Sequence, residues 1–108
     1  IVLDSWHWWQ AGDSVSDIEK LRNKDIILVD LNDAPKDIDK KRQLDGQRQL
    51  PMATGVIDTE GFVKALVEIG YDGPIRAEPF NQTLRDLDDE SACKATIGSL
   101  RKAIALVS

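Results

Sequence analysis

Three acidic residues, Asp4, Asp30 and Glu78, each follow a short, mainly apolar segment and precede a loop. Side chains in such positions project from the C-terminal end of a parallel sheet, where enzymes built from β/α units place their reactive groups. Carboxylate oxygens are the ligands that hard divalent cations prefer. The pattern therefore predicts a divalent-metal site formed by these three residues. The alternative is that they are solvated loop acids.

The segment that follows Asp4 carries the other residues able to do chemistry. His7 is the only histidine of the chain, and on residue type alone a structural hydrogen bond is a commoner role for it than a functional one. Trp6, Trp8 and Trp9 either pack the rim of the sheet or form a wall against the face of a sugar.

Asn32 and Asp33 directly follow Asp30. Turn formation is sufficient to explain both residue types, although either side chain is close enough in sequence to reach a ligand.

The composition limits the classes of partner. The chain has 108 residues and a formal net charge of −5, which gives no support to nucleic-acid or membrane-surface binding. No apolar segment approaches transmembrane length and no signal peptide opens the chain, so small molecules and cations are the expected ligands. The single cysteine, Cys93, excludes an internal disulfide, favours a reducing compartment such as the cytoplasm, and is expected to be a packed thiol.

Hydrophobic patterning predicts three β/α units, and hence an α/β fold with parallel, neighbouring strands. A long irregular segment over 32–58 separates the second strand from its helix, and such loops are often functional. Helices are specified for only one layer, so the other sheet face and both edges need a cover, which predicts self-association of the isolated chain. The predicted strands cover 1–4, 26–31 and 75–78, and the predicted helices cover 14–21, 58–69 and 88–107.

Four motifs in this order resemble the sugar-phosphate isomerase/epimerase family with the xylose-isomerase-like (β/α)8 barrel. The resemblance implies that residues 1–108 correspond to strand 6 through helix 8, a partial TIM barrel that forms the C-terminal part of a longer domain. The motifs are Leu3-Asp4-Ser5-Trp6-His7, Val29-Asp30-Leu31-Asn32-Asp33-Ala34-Pro35, Arg48-Gln49-Leu50-Pro51 through Gly55-Val56-Ile57-Asp58, and Ile69-Gly70-Tyr71-Asp72-Gly73-Pro74 leading to Glu78-Pro79-Phe80.

The resemblance implies a metal-dependent isomerase, epimerase or dehydratase of carbohydrate metabolism, acting on a sugar, keto-polyol or hydroxy-ketone. Asp4 and Glu78 match two family ligands for Mn²⁺, Mg²⁺ or Co²⁺, and Glu78 also matches the acid/base that moves a proton beside the carbonyl. His7 matches a histidine that touches substrate near the metal, so we assign it to catalysis and substrate binding. We also assign Trp6 and Arg48 to substrate binding.

Asp30 departs from the family pattern, because it stands where the family usually has a histidine ligand. An all-oxygen site favours Mg²⁺ and Mn²⁺, and it needs nearby cations such as Arg48 and Arg76 to offset its negative charge. Alternatively, Asp30 marks a member with an altered metal site.

The fourth family ligand, a glutamate of strand 5, has no counterpart here. We therefore expect the whole protein to be an enzyme and this part alone to be inactive. The second hypothesis is a non-catalytic (βα)3 fragment that associates with itself.

Overall fold

Three parallel strands form one sheet in the chain order β1-β2-β3 in the computed structural model, which describes all 108 residues. Each strand leads into helical structure, as predicted for consecutive β/α units. No helix is both long and apolar enough to cross a lipid bilayer. The strands are β1 (Val2–Asp4), β2 (Leu28–Asp30) and β3 (Ile75–Arg76), and the helices are α1 (Ser5–Gln10), α2 (Val15–Glu19), α3 (Thr59–Glu68), α4 (Gln82–Arg85) and α5 (Asp89–Ala105).

The strand register brings the C-terminal ends of the strands together. Asp4 pairs with Asp30 across β1 and β2, and Asp30 pairs with Arg76 across β2 and β3. β2 is shorter than the predicted strand 26–31, because the backbone N–H of Ile26 donates to Asn23 O (3.1 Å) and closes a 3₁₀ turn before the strand.

Helix α3 supplies most of the layer that covers the sheet. Its N-cap is Asp58, at the predicted start of the helix, whose Oδ1 accepts a hydrogen bond from Gly61 N (2.9 Å). Phe62 and Leu66 are buried in the hydrophobic core together with Val29 of the central strand. The helix ends before Gly70, which adopts φ +70°, a conformation that glycine accepts without strain.

Helix α5 begins within one residue of its predicted start at residue 88, but it is largely exposed. Ala103 is its only buried residue, and Ile104 is 43% exposed. The expectation of a packed Cys93 thiol is wrong, because this residue is exposed on the same helix. The short helix α4, which the patterning did not predict, begins after Asn81, whose Oδ1 accepts from Leu84 N (2.9 Å).

The segment between β2 and α3 contains only two 3₁₀ turns, Lys40–Arg42 and Asp45–Gln47. Asp33 is completely buried and holds the two ends of this segment together. Its carboxylate accepts four backbone hydrogen bonds, from Ala34 N (2.8 Å), Thr54 N (3.1 Å), Gly55 N (2.9 Å) and Ile57 N (3.0 Å). The long irregular segment is therefore an ordered loop folded around one buried acid.

Candidate active site

Asp4 ends β1 and begins α1. Its Oδ1 accepts from Trp6 N (2.8 Å) and His7 N (3.4 Å), which makes it the N-cap of that short helix. Its other oxygen, Oδ2, accepts from Arg48 Nη1 (2.9 Å). Only 9% of Asp4 is exposed, so its charge is balanced inside the protein rather than by water.

Asp30 ends the central strand and shares a guanidinium with Glu78. Arg76 Nε donates to Asp30 Oδ1 (2.5 Å), and Arg76 Nη2 donates to Asp30 Oδ2 (3.4 Å) and to Glu78 Oε1. The hydrogen bond to Asp30 raises the pKa of the Arg76 guanidinium above its ordinary value. Asp30 is buried, whereas the Arg76 side chain is 54% exposed.

Arg48 is the buried cation at the centre of the site. Besides its contact with Asp4, its Nη1 lies 3.7 Å from Glu78 Oε2, and its side chain is only 4% exposed. The guanidinium lies 5.2 Å from the ring centroids of both Trp6 and Phe80, within cation–π distance.

Asp45 and His7 complete the surroundings of Arg48. Asp45 Oδ1 accepts from Arg48 Nε (3.1 Å) and from Arg48 Nη2. Arg48 Nη2 also lies 2.8 Å from His7 Nε2. Because a guanidinium only donates, His7 Nε2 accepts this bond, and the neutral ring carries its proton on Nδ1.

Asn32 links the ends of all three strands. Its side-chain Oδ1 accepts from Glu78 N (2.7 Å), and its Nδ2 approaches Asp4 Oδ1 (3.4 Å). Its backbone N–H and C=O both bond to Ser5 Oγ, at 2.8 and 2.7 Å. Asn32 is completely buried, so one amide contacts the Asp4 carboxylate and holds the backbone that carries Glu78.

Asp33 positions Arg48 from the other side of the loop. Its backbone pairs with that of Gln49, through Asp33 N to Gln49 O (2.8 Å) and Gln49 N to Asp33 O (2.9 Å). Arg48 is the neighbour of Gln49 in the chain, and the Arg48 carbonyl accepts from Asn81 Nδ2 (2.8 Å). The backbone that carries Arg48 is therefore held on both sides.

The chemistry of the donor set fits a hard divalent cation, but the three carboxylates do not form a ready ion site. Asp4, Asp30 and Glu78 lie at one edge of one sheet and offer only oxygen ligands. In this arrangement their oxygens face the guanidinium groups of Arg48 and Arg76, and no three His, Cys, Asp or Glu side chains are grouped closely enough to hold an ion. Positive charge already occupies the point where the carboxylates meet.

The other predicted site residues divide into two groups. Trp6 and His7 lie against Arg48, with the Trp6 and His7 rings edge to face at 5.1 Å. The indole Nε1–H of Trp6 is buried and donates to no group of the chain.

Trp8 and Trp9 point elsewhere. Trp8 packs on Phe62 and donates to Ser14 O (3.0 Å), and Trp9 lies under the Lys40 ammonium at 4.8 Å. Rim packing, one of the two roles considered for the tryptophans, therefore describes these two residues.

Sequence reasoning considered Asn32 as a turn residue or a ligand contact, named Arg76 beside Arg48 only as a counter-charge, and missed Asp45. The available signal for Asn32 was its position two residues after Asp30, at the end of the same strand. The available signal for Arg76 was alternation along the predicted strand 75–78, which puts Arg76 and Glu78 on the same face. Asp45 lies in an irregular turn and gave no comparable signal.

Comparison with known proteins places the chain in a family. Residues 1–103 match the family described as "Xylose isomerase-like TIM barrel". The inosose isomerase of Halalkalibacterium halodurans is 30% identical over 94 residues, which are 87% of this chain and 33% of that protein. The chain thus spans about a third of the length of that relative.

Solved structures agree with this result. The crystal structure of the IolI protein with a bound zinc atom superposes with a TM-score of 0.88 at 25% identity, covering 97% of this chain and 37% of that one. A xylose isomerase domain protein from Alicyclobacillus acidocaldarius gives a TM-score of 0.83 at 33% identity, with the same coverage. The chain therefore belongs to the xylose isomerase-like TIM barrel family, a family of sugar isomerases and epimerases, and folds as three parallel β/α units of that barrel.

Proposed function

We propose that residues 1–108 form the C-terminal part of a metal-dependent (β/α)8 isomerase or epimerase that acts on a sugar or keto-polyol by proton transfer. A dehydratase built on the same site is the closest variant of this proposal. The observation that carries it is that the carboxylates of Asp4, Asp30 and Glu78 lie together at one edge of the sheet. The relative named inosose isomerase supports a ketose-like substrate, and the zinc atom in the IolI structure supports a divalent metal.

Asp4, Asp30 and Glu78 would hold the ion, with a further ligand from the part of the barrel that this chain does not include. When bound, the ion would polarise a substrate carbonyl and stabilise the negative charge that develops on its oxygen. Three carboxylates favour Mn²⁺ or Mg²⁺, with Co²⁺ as the next candidate, because the usual imidazole ligand is replaced by Asp30.

Glu78 is the group that moves the proton. Its side chain is 25% exposed at the mouth of the site, while its backbone N–H is anchored on Asn32 Oδ1 (2.7 Å). A carboxylate oxygen of Glu78 would take the proton from the carbon beside the carbonyl and return it to the neighbouring position. A proton-transfer group needs a fixed backbone and a carboxylate that a substrate can reach, and Glu78 has both.

His7, Trp6 and Arg48 would bind and orient the substrate. The Nδ1–H of His7 would donate to a substrate hydroxyl, since Nε2 already accepts from Arg48. The indole N–H of Trp6 has no partner in the chain and would be a second donor. Arg48 would keep these rings in place and supply charge beside the developing oxyanion. A small polar substrate also fits the cytoplasmic location that we propose.

A second candidate is a non-catalytic chain that associates with copies of itself. Ile1, Val2 and Ile27 lie at or beside the β1 edge with exposures of 61, 48 and 70%, and uncovered apolar edges invite pairing. Light scattering on the 108-residue chain tests this idea directly. A monodisperse monomer would exclude it, whereas dimers or larger species that vanish when the preceding barrel units are present would show that the edge serves the barrel.

The enzymatic proposal is tested with Glu78→Gln in the complete protein that carries this chain. We expect the variant to fold normally and to lose exchange of the substrate α-proton with deuterated solvent by on the order of 10²–10⁴-fold, the range typical of an acid/base group. Glu68→Gln, a change of the same chemistry at an exposed position at the end of α3, is the control and should leave exchange unchanged. Exchange at the wild-type rate in Glu78→Gln would remove Glu78 from the mechanism.

A further inference from the structure

The two arginines of the site differ in how firmly they are held. Arg48 is 4% exposed, contacts Asp4, Asp45 and His7, and lies between two aromatic rings. Arg76 is 54% exposed, and its polar contacts are with the carboxylates of Asp30 and Glu78. Arg48 is thus part of the buried framework, whereas Arg76 is free to leave into solvent without opening the core.

Arg76 uses the same oxygens that an ion would need. Its guanidinium bonds both oxygens of Asp30 in the bidentate geometry that arginine favours, and it also bonds Oε1 of Glu78. A guanidinium and a divalent cation repel each other, so an ion is bound weakly by a carboxylate that faces a guanidinium. Arg76 bonds both oxygens of Asp30 and one of the two oxygens of Glu78, so both carboxylates bind an ion better once Arg76 has moved.

The ion pair between Asp30 and Arg76 joins two neighbouring strands of the sheet and does not depend on a loop. Asp30 and Arg76 are direct register partners across β2 and β3, and Glu78, two residues beyond the end of β3, accepts from Arg76 through Oε1. The acid at the end of the central strand and the arginine opposite it are therefore neighbours by register.

We infer that Arg76 competes with the divalent cation for Asp30 and Glu78, so that metal loading of this site requires the Arg76 guanidinium to swing out. This inference rests on the proposed function, because it presupposes an ion held by the three carboxylates. It assigns Arg76 the role of an internal counter-ion that stabilises the metal-free site and lowers metal affinity. Arg48 is buried and bonded to Oδ2 of Asp4, and it is not assigned this role.

The test is the binding of Mn²⁺ to the complete, metal-depleted protein, followed by the electron paramagnetic resonance signal of free Mn²⁺, without any assay of turnover. Arg76→Gln removes the charge and keeps a polar side chain of similar length, and we expect it to bind Mn²⁺ on the order of tenfold more tightly than the wild type. Arg76→Lys keeps the charge without the bidentate fork and should bind with intermediate affinity. Arg22→Gln is the matched control, since Arg22 forms the same kind of pair with Asp25 away from the site, and it should bind as the wild type does.

The outcomes distinguish competition by Arg76 from the existence of the metal site itself. Tighter binding by Arg76→Gln alone, abolished when Asp30→Asn is added, supports competition at this site. Equal or weaker binding by Arg76→Gln, with saturable binding by the wild type, overturns the competition and leaves the metal site standing. Absence of binding in both proteins, with circular dichroism showing that both are folded, overturns the metal site and the inference with it.

Discussion

Replacing Asp33 by alanine should strongly destabilise the protein, because Asp33 holds the two ends of the long loop together. The carboxylate is completely buried and accepts four backbone hydrogen bonds, from Ala34, Thr54, Gly55 and Ile57. At about 1 kcal/mol for each bond whose buried donor loses its partner, the expected loss of unfolding free energy is about 4 kcal/mol. The loop would then release the backbone around Gln49, which positions Arg48.

Urea denaturation of the complete protein measures this loss. Asp33→Asn should cost less, about 2 kcal/mol, because one side-chain oxygen still accepts while the amide N–H₂ faces two backbone donors. Asp37→Asn is the control in the same segment: Asp37 is exposed and adopts φ +62°, which asparagine tolerates, so its effect should stay below about 0.5 kcal/mol. A cost below 1 kcal/mol for Asp33→Ala would refute the view that this acid organises the loop.

Three further predictions address the site, the metal and the sheet edge. Asn32→Ala should lower the unfolding free energy by about 1–3 kcal/mol, because Glu78 N–H loses its buried acceptor; an unchanged urea midpoint would contradict this. Removal of metal with EDTA should abolish turnover, and Mn²⁺ or Mg²⁺ should restore it better than Zn²⁺; turnover that survives EDTA treatment would exclude metal dependence. The Tyr71 hydroxyl donates to Pro74 O (2.7 Å), and burial raises its pKa above the ordinary value near 10. The free energy of unfolding that Tyr71 contributes is therefore complete below about pH 10 and falls as the pH rises above that value. Tyr71→Phe should flatten this alkaline decline, and an equal decline in both proteins would assign it to other groups.

The positions of the strand-end acids were predictable because they depend on local pattern. An apolar run followed by an acid and a loop places Asp4 and Asp30 at the same edge once the two strands pair in parallel, and the capping role of Asp58 followed from local rules. The burial of α3 was predictable for the same reason, since the spacing of Phe62 and Leu66 defines one face.

Contacts between distant segments were not predictable in this way. The pairing of Asp30 with Arg76 depends on strand register. The contacts of Arg48 depend on the path of a loop that Asp33 holds together. Sequence pattern shows that these residues are polar or charged, but not which partners they meet across 40 or more positions. The exposure of Cys93 was missed because a helical apolar stripe shows which face can be buried, not whether anything covers it.

The central claim is that Asp4, Asp30 and Glu78 hold one divalent cation. Anomalous diffraction from crystals of the complete protein grown with Mn²⁺ tests it most directly. We predict a single strong peak in contact with carboxylate oxygens of all three residues, with the Arg76 guanidinium displaced from Asp30. A peak that avoids these carboxylates, or a saturating Mn²⁺ concentration that leaves the Asp30–Arg76 pair intact with no peak beside it, would contradict the claim.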